Sequence, residues 1–312
     1  MSIDNGDAWN ALRNMGGQSR HHLSPRSTYV LSDALEWLHA LPAQSVHAVV
    51  TDPPYGTMEY GDTDHAKLRA GRGGVWRIPP SFDGARRRPL PRFTVMDAQD
   101  RVRMRTHMLA LGQAILHALV PGGHVIMAAN PLMSSLVFTA MEDAGFEKRG
   151  EVVRLVQTLR GGDRPKGAEA EFSDVSSMPR ACWEPWGVFR KPLSERTVAG
   201  NLRRWGTGGL RRISEGEPFK DVIACSPTRG RERVIAPHPS LKPQRFMRRV
   251  VRAALPLGTG IVHDPFAGSG STLAAAEHLG YFAMGTERDA AYMDLAVNAF
   301  HDLSTLDIRS AG

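Results

Sequence analysis

Short apolar runs alternate with amphipathic stretches along much of this chain. Tyr29–Leu31 predicts a strand, and Ser32 to Leu38 a helix capped by Ser32 or Asp33. Val46–Val50 predicts a buried strand that stops at Thr51-Asp52-Pro53-Pro54-Tyr55, because a proline pair can neither extend a central strand nor follow a helical residue. Asp100 to Leu119 predicts a helix with Met104, Met108, Leu111, Ile115 and Leu119 on its apolar face. Pro121-Gly122-Gly123 then predicts a turn into the strand His124–Ala128, followed by a helix from Leu132 to Ala144 closed at Gly145, and a strand Glu151–Leu159. The rhythm resumes late with a helix Pro243–Leu255, a strand Thr259–His263, a helix Ser271–Leu279, a strand Tyr281–Thr286 and a helix from Asp289. Such alternation predicts an α/β fold with a mostly parallel, layered sheet.

Two stretches break the pattern. Gly56 to Met96 is rich in Gly, Pro and Arg without periodicity and reads as a long mobile loop of the kind that serves function. Arg160 to Gly230 reads as an inserted subdomain. Met1 to Arg26 is polar, lacks a hydrophobic signal core and reads as a flexible tail. The expected organisation is therefore a tail (1–27), a first half (28–159) containing the loop 56–96, an insertion that also carries the last strand of the first half at Trp183–Val188 (160–233), and a second half (234–312).

Composition changes this picture in one respect. The apolar fraction of 42% and charged fraction of 23% are those of an ordinary globular protein. No apolar run approaches the ~20 residues of a membrane helix, so no membrane partner and a cytoplasmic location are expected. Two cysteines, Cys182 and Cys225, in no paired motif suggest neither a disulfide framework nor zinc, and the histidines lack metal-ligand spacing, so no metal is expected. The net charge of +7, however, is concentrated. Residues 66–105 hold eleven Lys/Arg against three Asp/Glu, and residues 190–233 hold eleven against five. Paired basic stretches outside a sheet core are the footprint of a polyanion-binding protein, with solvated loops as the competing reading.

Candidate chemistry sits at two strand ends, where open α/β sheets bind ligands. After one strand, Asp264-Pro265-Phe266-Ala267-Gly268-Ser269-Gly270-Ser271 opens a helix, so bare backbone and free N–H groups can meet a ligand closely. Glu287, after the next strand, has the spacing of an acidic side chain that meets ribose hydroxyls. The absence of Gly-Lys-Ser/Thr argues against an ATP cradle, and Thr272 and Leu273 stand where a dinucleotide fingerprint places its third glycine. At the other strand end Asp52 and the Pro53 carbonyl can accept both hydrogens of an aromatic amine, favouring a more tetrahedral nitrogen. Tyr55 can stack on the base face for about 1–3 kcal/mol, provided the base has left its duplex. A plain turn is the competing reading of each motif.

The two motifs together, with Asp33-Ala34-Leu35-Glu36-Trp37-Leu38 upstream and His238-Pro239-Ser240-Leu241-Lys242-Pro243 before the late strand, resemble the S-adenosylmethionine-dependent DNA amino-methyltransferases. The order, Asp-Pro-Pro-Tyr first and glycine loop last, is similar to the permuted β class of that family, over residues 28–157 and about 234–300. The resemblance implies a Rossmann-like, mostly parallel seven-stranded sheet with an inserted target-recognition region. It implies that Asp52, Pro53, Pro54 and Tyr55 are catalytic and hold the flipped base. It implies S-adenosyl-L-methionine bound by Asp33, Asp52, Lys242, Asp264, Phe266, Ala267, Gly268, Ser269, Gly270, Thr272, Glu287 and Arg288. Asp33 departs from the usual Gly-Asp in being Ser32-Asp33. DNA contacts would come from Arg86, Arg87 and Arg88 and from Arg203 and Arg204, the last two in or beside target recognition.

Asp rather than Ser at position 52 is more typical of adenine-N6 enzymes, so the implied reaction is methylation of adenine N6 in double-stranded DNA by base flipping. Cytosine-N4 methylation, a catalytically idle DNA-binding relative, and transfer to RNA or a protein amine are the rival readings. The resemblance further suggests a homodimer, leaves room for a cognate restriction endonuclease, and would place the protein on the nucleoid through DNA.

Overall fold

The computed structural model describes residues 5–16, 19–54, 98–156, 162–165, 167–225, 228, 230–238 and 241–308. In chain order the elements are α1 (Gly6–Arg13), β1 (Ser19–His22), β2 (Ser27–Leu31), α2 (Ala34–Ala40), β3 (Val46–Thr51), α3 (Ala98–Ala118), β4 (Leu119–Ala128), α4 (Ser134–Asp143), β5 (Glu147–Leu155), β6 (Trp183–Arg190), α5 (Val198–Trp205), β7 (Val222–Ala224), α6 (Arg231–Ile235), α7 (Gln244–Ala254), β8 (Ile261–Asp264), α8 (Ser271–His278), β9 (Phe282–Glu287) and α9 (Ala290–Thr305).

The strands form one sheet in the order β1-β2-β9-β8-β3-β4-β6-β5-β7. Its centre, β2-β9-β8-β3-β4, is parallel throughout, as the buried apolar runs require. β6 runs antiparallel to both β4 and β5. The sheet has nine strands among the described residues rather than the expected seven, because an edge strand is added at each side. One of them, β1, comes from the stretch read as a tail. It pairs antiparallel with β2, and Trp9 and Leu12 of α1 are buried, Trp9 stacked on Phe282 at 5.3 Å. Polar side chains at most other positions of that stretch hid two anchoring apolar residues. The other, β7, lies parallel to β5.

Helices cover both faces. Alternating strand residues such as Ala48, Val50, Ile126 and Ala128 join one core with α7, α8 and α9, while Val49, Val125 and Met127 join the other with α1 to α4. Pro121-Gly122-Gly123 does not precede β4 but bulges within it. Val46 pairs with Leu119 and Ala48 with His124, so the register slips by three residues between these pairs. Gly122, at φ +77°, permits the excursion. Among the described residues no helix is long and apolar enough to cross a membrane.

Candidate active site

The strand order reverses across the parallel β8/β3 pair: β8 leads through α8 to β9 on one side, and β3 leads through α3 to β4 on the other. The crevice at the carboxyl ends of such a pair is where open sheets bind ligands. Both sequence motifs open there. Asp52, Pro53 and Pro54 leave β3, and Asp264 to Gly270 leave β8.

One carboxylate ties them together. Thr51 donates its hydroxyl to Asp264 Oδ1 at 2.7 Å, Thr272 of α8 donates to Oδ2 at 2.5 Å, and the Phe266 amide donates to Oδ1 at 3.1 Å. Asp264 is buried, and burial outweighs these donors to push its pKa up to about 6. Asp264 and Thr272 together thus brace the crevice.

The glycine loop is held from three sides. The Gly268 amide donates to Glu287 Oε2 at 3.1 Å, and Tyr29 of β2 donates its phenol to the Gly268 carbonyl at 2.5 Å. Burial and the Glu287 charge push that phenol's pKa up. Gly268 has φ +48°, and a Cβ there would stand 3.2 Å from the His238 ring, which packs edge-on against Tyr292 at 4.4 Å. Burial and the neighbouring Lys242 hold the His238 imidazole neutral, its pKa down at about 4. Phe266 stays half-buried beside the loop, whereas Ala267 and Ser269 are buried. Gly270 precedes α8.

Glu287 Oε1 accepts the Arg288 and Asp289 amides at 2.9 Å each, so three backbone donors occupy a carboxylate with about four acceptor positions. Arg288 is exposed. Asp33 lies two residues beyond Leu31, the partner of Glu287 across β2/β9, and is spent as the α2 cap, accepting Leu35 and Glu36 amides at 2.9 and 3.2 Å. Of the two caps the sequence allows, the helix uses Asp33, not Ser32.

At the other motif, Asp52 is half-buried, Pro53 buried and Pro54 exposed. Lys242 Nζ donates to Asp52 Oδ2 and lies 3.3 Å from Glu184 Oε1. Lys242 therefore belongs to the Asp52 side of the crevice rather than to the glycine loop. Tyr55 and Arg86 to Arg88 lie outside the described residues.

Arg203 and Arg204 are at the wrong end. Asn201 and Thr207, flanking them, donate to the Pro121 carbonyl at 2.9 and 2.6 Å. Pro121 lies in the bulge level with Val46–Ala48, three to five residues before Thr51 along β3, which at ~3.3 Å per residue is roughly 10–16 Å from the crevice end of the sheet. Arg204 pairs with Glu195 and covers Trp205. The reason is direction. Because β6 is antiparallel, its carboxyl end delivers the chain to the far edge of the sheet, and its amino end receives the chain at the crevice. Thr51 and His238, which open two of the sequence motifs without an assigned role, also belong to the site, as do Tyr29 and Glu184, which lie in neither motif. Of the latter two, only Glu184, an acid inside the apolar run Trp183–Phe189, carried a signal.

Similarity to known proteins agrees with this arrangement. Residues 183–298 match the model of the N6/N4 "DNA methylase" family. The chain is 25% identical over 295 residues to the type II methyltransferase M.HindIII of Haemophilus influenzae, covering 86% of this chain and 93% of that one. It is 32% identical over 87 residues to the type II methyltransferase M2.DpnII of Streptococcus pneumoniae, covering 28% of this chain and 32% of that one. Among solved structures, a putative DNA modification methylase of Thermus thermophilus complexed with S-adenosyl-L-methionine superposes with a TM-score of 0.55 at 20% identity, covering 89% of this chain and 95% of that one. The cytosine-N4-specific PvuII DNA methyltransferase superposes at 0.58 and 16% identity, covering 91% and 87%. With its two motif turns braced around one crevice, the chain is similar over most of its length to a type II methyltransferase and, over residues 183–298, to the N6/N4 DNA methylases.

Proposed function

We propose that the protein methylates the exocyclic N6 of adenine in double-stranded DNA, using S-adenosyl-L-methionine. The observation that carries this reading is the Asp264 carboxylate binding the Asp-Pro-Pro turn and the glycine loop to one crevice, so that an amine held by the first meets a methyl donor held by the second. Adenine is favoured over cytosine by Asp at position 52.

The crevice suits the cofactor. Gly268 lets the His238 ring approach to a distance that a side chain would fill, Glu287 retains acceptor capacity for a ribose hydroxyl, and half-buried Phe266 offers an aromatic wall. Phe266, Gly268, Gly270 and Glu287 would hold it, with Asp33 near the Glu287 end. The cofactor supplies an electrophilic sulfonium methyl. The protein's task is alignment and the exclusion of competing geometries. Asp52 and the Pro53 carbonyl accept the hydrogens of the amine, turning its lone pair toward the methyl donor. Tyr55 stacks on the base, and the base reaches it by leaving the duplex.

Target recognition is assigned to segments that begin at the crevice edge: residues 55–97, directly after Pro54, and residues 156–182, which join β5 to β6. Arg86 to Arg88 fall in the first.

The test is transfer of tritiated methyl to duplex DNA, RNA and protein, with nucleoside analysis of the labelled DNA. N6-methyladenine is expected. N4-methylcytosine would replace the base assignment, and label in RNA or protein alone would end the reading. Asp52→Ala should abolish transfer while calorimetry still detects cofactor binding.

A further inference from the structure

Asp52 heads a buried chain of alternating charges. Lys242, just before α7, donates to Asp52 and lies 3.3 Å from Glu184 Oε1. Glu184 Oε2 in turn accepts from Arg154 Nη1 at 3.0 Å and from the Trp186 indole at 3.1 Å. Arg154 covers the Phe246 ring at 5.6 Å. Lys242 and Arg154 are both buried.

The topology explains why Glu184 is there. β6 is antiparallel to β4, and Trp186 pairs with Ala128, the last residue of that strand. Glu184 therefore stands beyond the end of β4, level with the Asp52 turn, and pairs across β5 with Arg154. A buried charge chain is costly unless each member is paired. Here every link has its partner, and the chain ends on the carboxylate assigned to the amine.

We propose that Glu184 is a positioning residue for the methyl-transfer reaction: it anchors the Lys242 ammonium so that Lys242 fixes the orientation of the Asp52 carboxylate toward the incoming amine. The inference rests on the function proposed above. Neither Glu184 nor Arg154 touches the substrate.

Charge supports the geometry. Lys242 and Arg154 hold the Glu184 carboxyl down at about 2 despite its burial. Burial alone would lower the Lys242 pKa, but Asp52 and Glu184 outweigh it and raise it, with Arg154 opposing them. Other titratable groups near this cluster are the neutral His238 and Glu232, which accepts the Gln244 amide at 2.7 Å.

The experiment compares wild type with Glu184→Gln and Glu184→Asp in single-turnover methyl transfer to DNA across pH, alongside cofactor calorimetry. The amide keeps the shape and removes the charge. It should lower the single-turnover rate about tenfold or more, with cofactor affinity within about twofold. It should also move the alkaline limb of the rate profile to lower pH, because Lys242 holds its proton less tightly with one carboxylate gone. Glu184→Asp, charged but one methylene shorter, should keep the wild-type limb and regain part of the rate. Unchanged rate and pH profile in Glu184→Gln would overturn the proposal. So would parallel loss of cofactor binding in both variants, which would make Glu184 merely structural. Failure of the wild type to methylate DNA would instead remove the function on which the proposal rests.

Discussion

The Thr51 hydroxyl donates to the Asp264 carboxylate at 2.7 Å across 213 residues of sequence, and this contact ties together the turns that follow β3 and β8. Val49 and His263 are paired neighbours on β3 and β8, so the contact lies just beyond the last ladder pair. It takes over where backbone pairing stops.

Removing that donor should therefore cost both stability and rate. Thr51→Val leaves a buried carboxylate short of one partner, a loss of about 1–3 kcal/mol. The urea midpoint should fall accordingly, and methyl transfer should fall further than cofactor affinity. A variant with wild-type midpoint and rate would show that the ladder alone positions the turns.

Gly268 should not tolerate a methyl group. At φ +48° an L side chain is strained by about 1–2 kcal/mol, and its Cβ would meet the His238 ring at 3.2 Å. Gly268→Ala should weaken S-adenosyl-L-methionine binding by about tenfold in calorimetry while the circular dichroism spectrum stays unchanged. Undiminished affinity would place the cofactor away from this loop.

Acid should destabilise the fold well above the usual carboxylate range. Burial lowers His47 to about 4 and His124 and His263 to about 3. For such a group the folded state resists the proton, so its stabilising contribution is present above pH 6.5 and is lost as pH falls toward the folded value. Each contributes about 1.4 kcal/mol per pH unit. Asp264, raised to about 6, works the other way below that pH and offsets roughly one of them. The urea midpoint should decline steadily from pH 6.5 to 4.5. A flat profile would mean that these imidazoles accept protons in place.

Replacing Arg203 and Arg204 together by alanine should leave DNA affinity and its salt dependence within about twofold, since α5 sits at the far edge of the sheet. Charge reversal at Arg86, Arg87 and Arg88 should weaken binding to all sequences and flatten the salt slope. Filter binding across a salt series separates the two sets, and equal effects would refute the assignment by sheet end.

Much of the fold was legible because local signals and tertiary need coincide in it. Val46–Val50 and Ile261–Asp264 are buried on both faces, as central parallel strands must be, and each ends in residues that cannot continue a strand. The edges were less legible. Ser19–His22 has no apolar pattern because an edge strand needs none, so only its pairing with β2 makes it a strand. Within the site, residues in motifs could be named, but the partners they require could not. Glu184 and Arg154 belong to a crossing of antiparallel strands, and nothing local reports where such a crossing falls. The same blindness put Arg203 and Arg204 beside the substrate, because basic residues look alike at either end of a strand.

The interleaved strand order also constrains how the molecule is made. Ser27–Leu31 has a polar neighbour in β1 but waits for Phe282–Glu287 as its parallel partner, and β3 gains one flank only when β8 has been translated. A nascent chain released before β8 and β9 emerge would expose unsatisfied strand edges at the middle of its sheet, a template for self-association. Chaperone dependence during synthesis, and aggregation of carboxyl-terminal truncations, are the expected cost of inserting the final strand there.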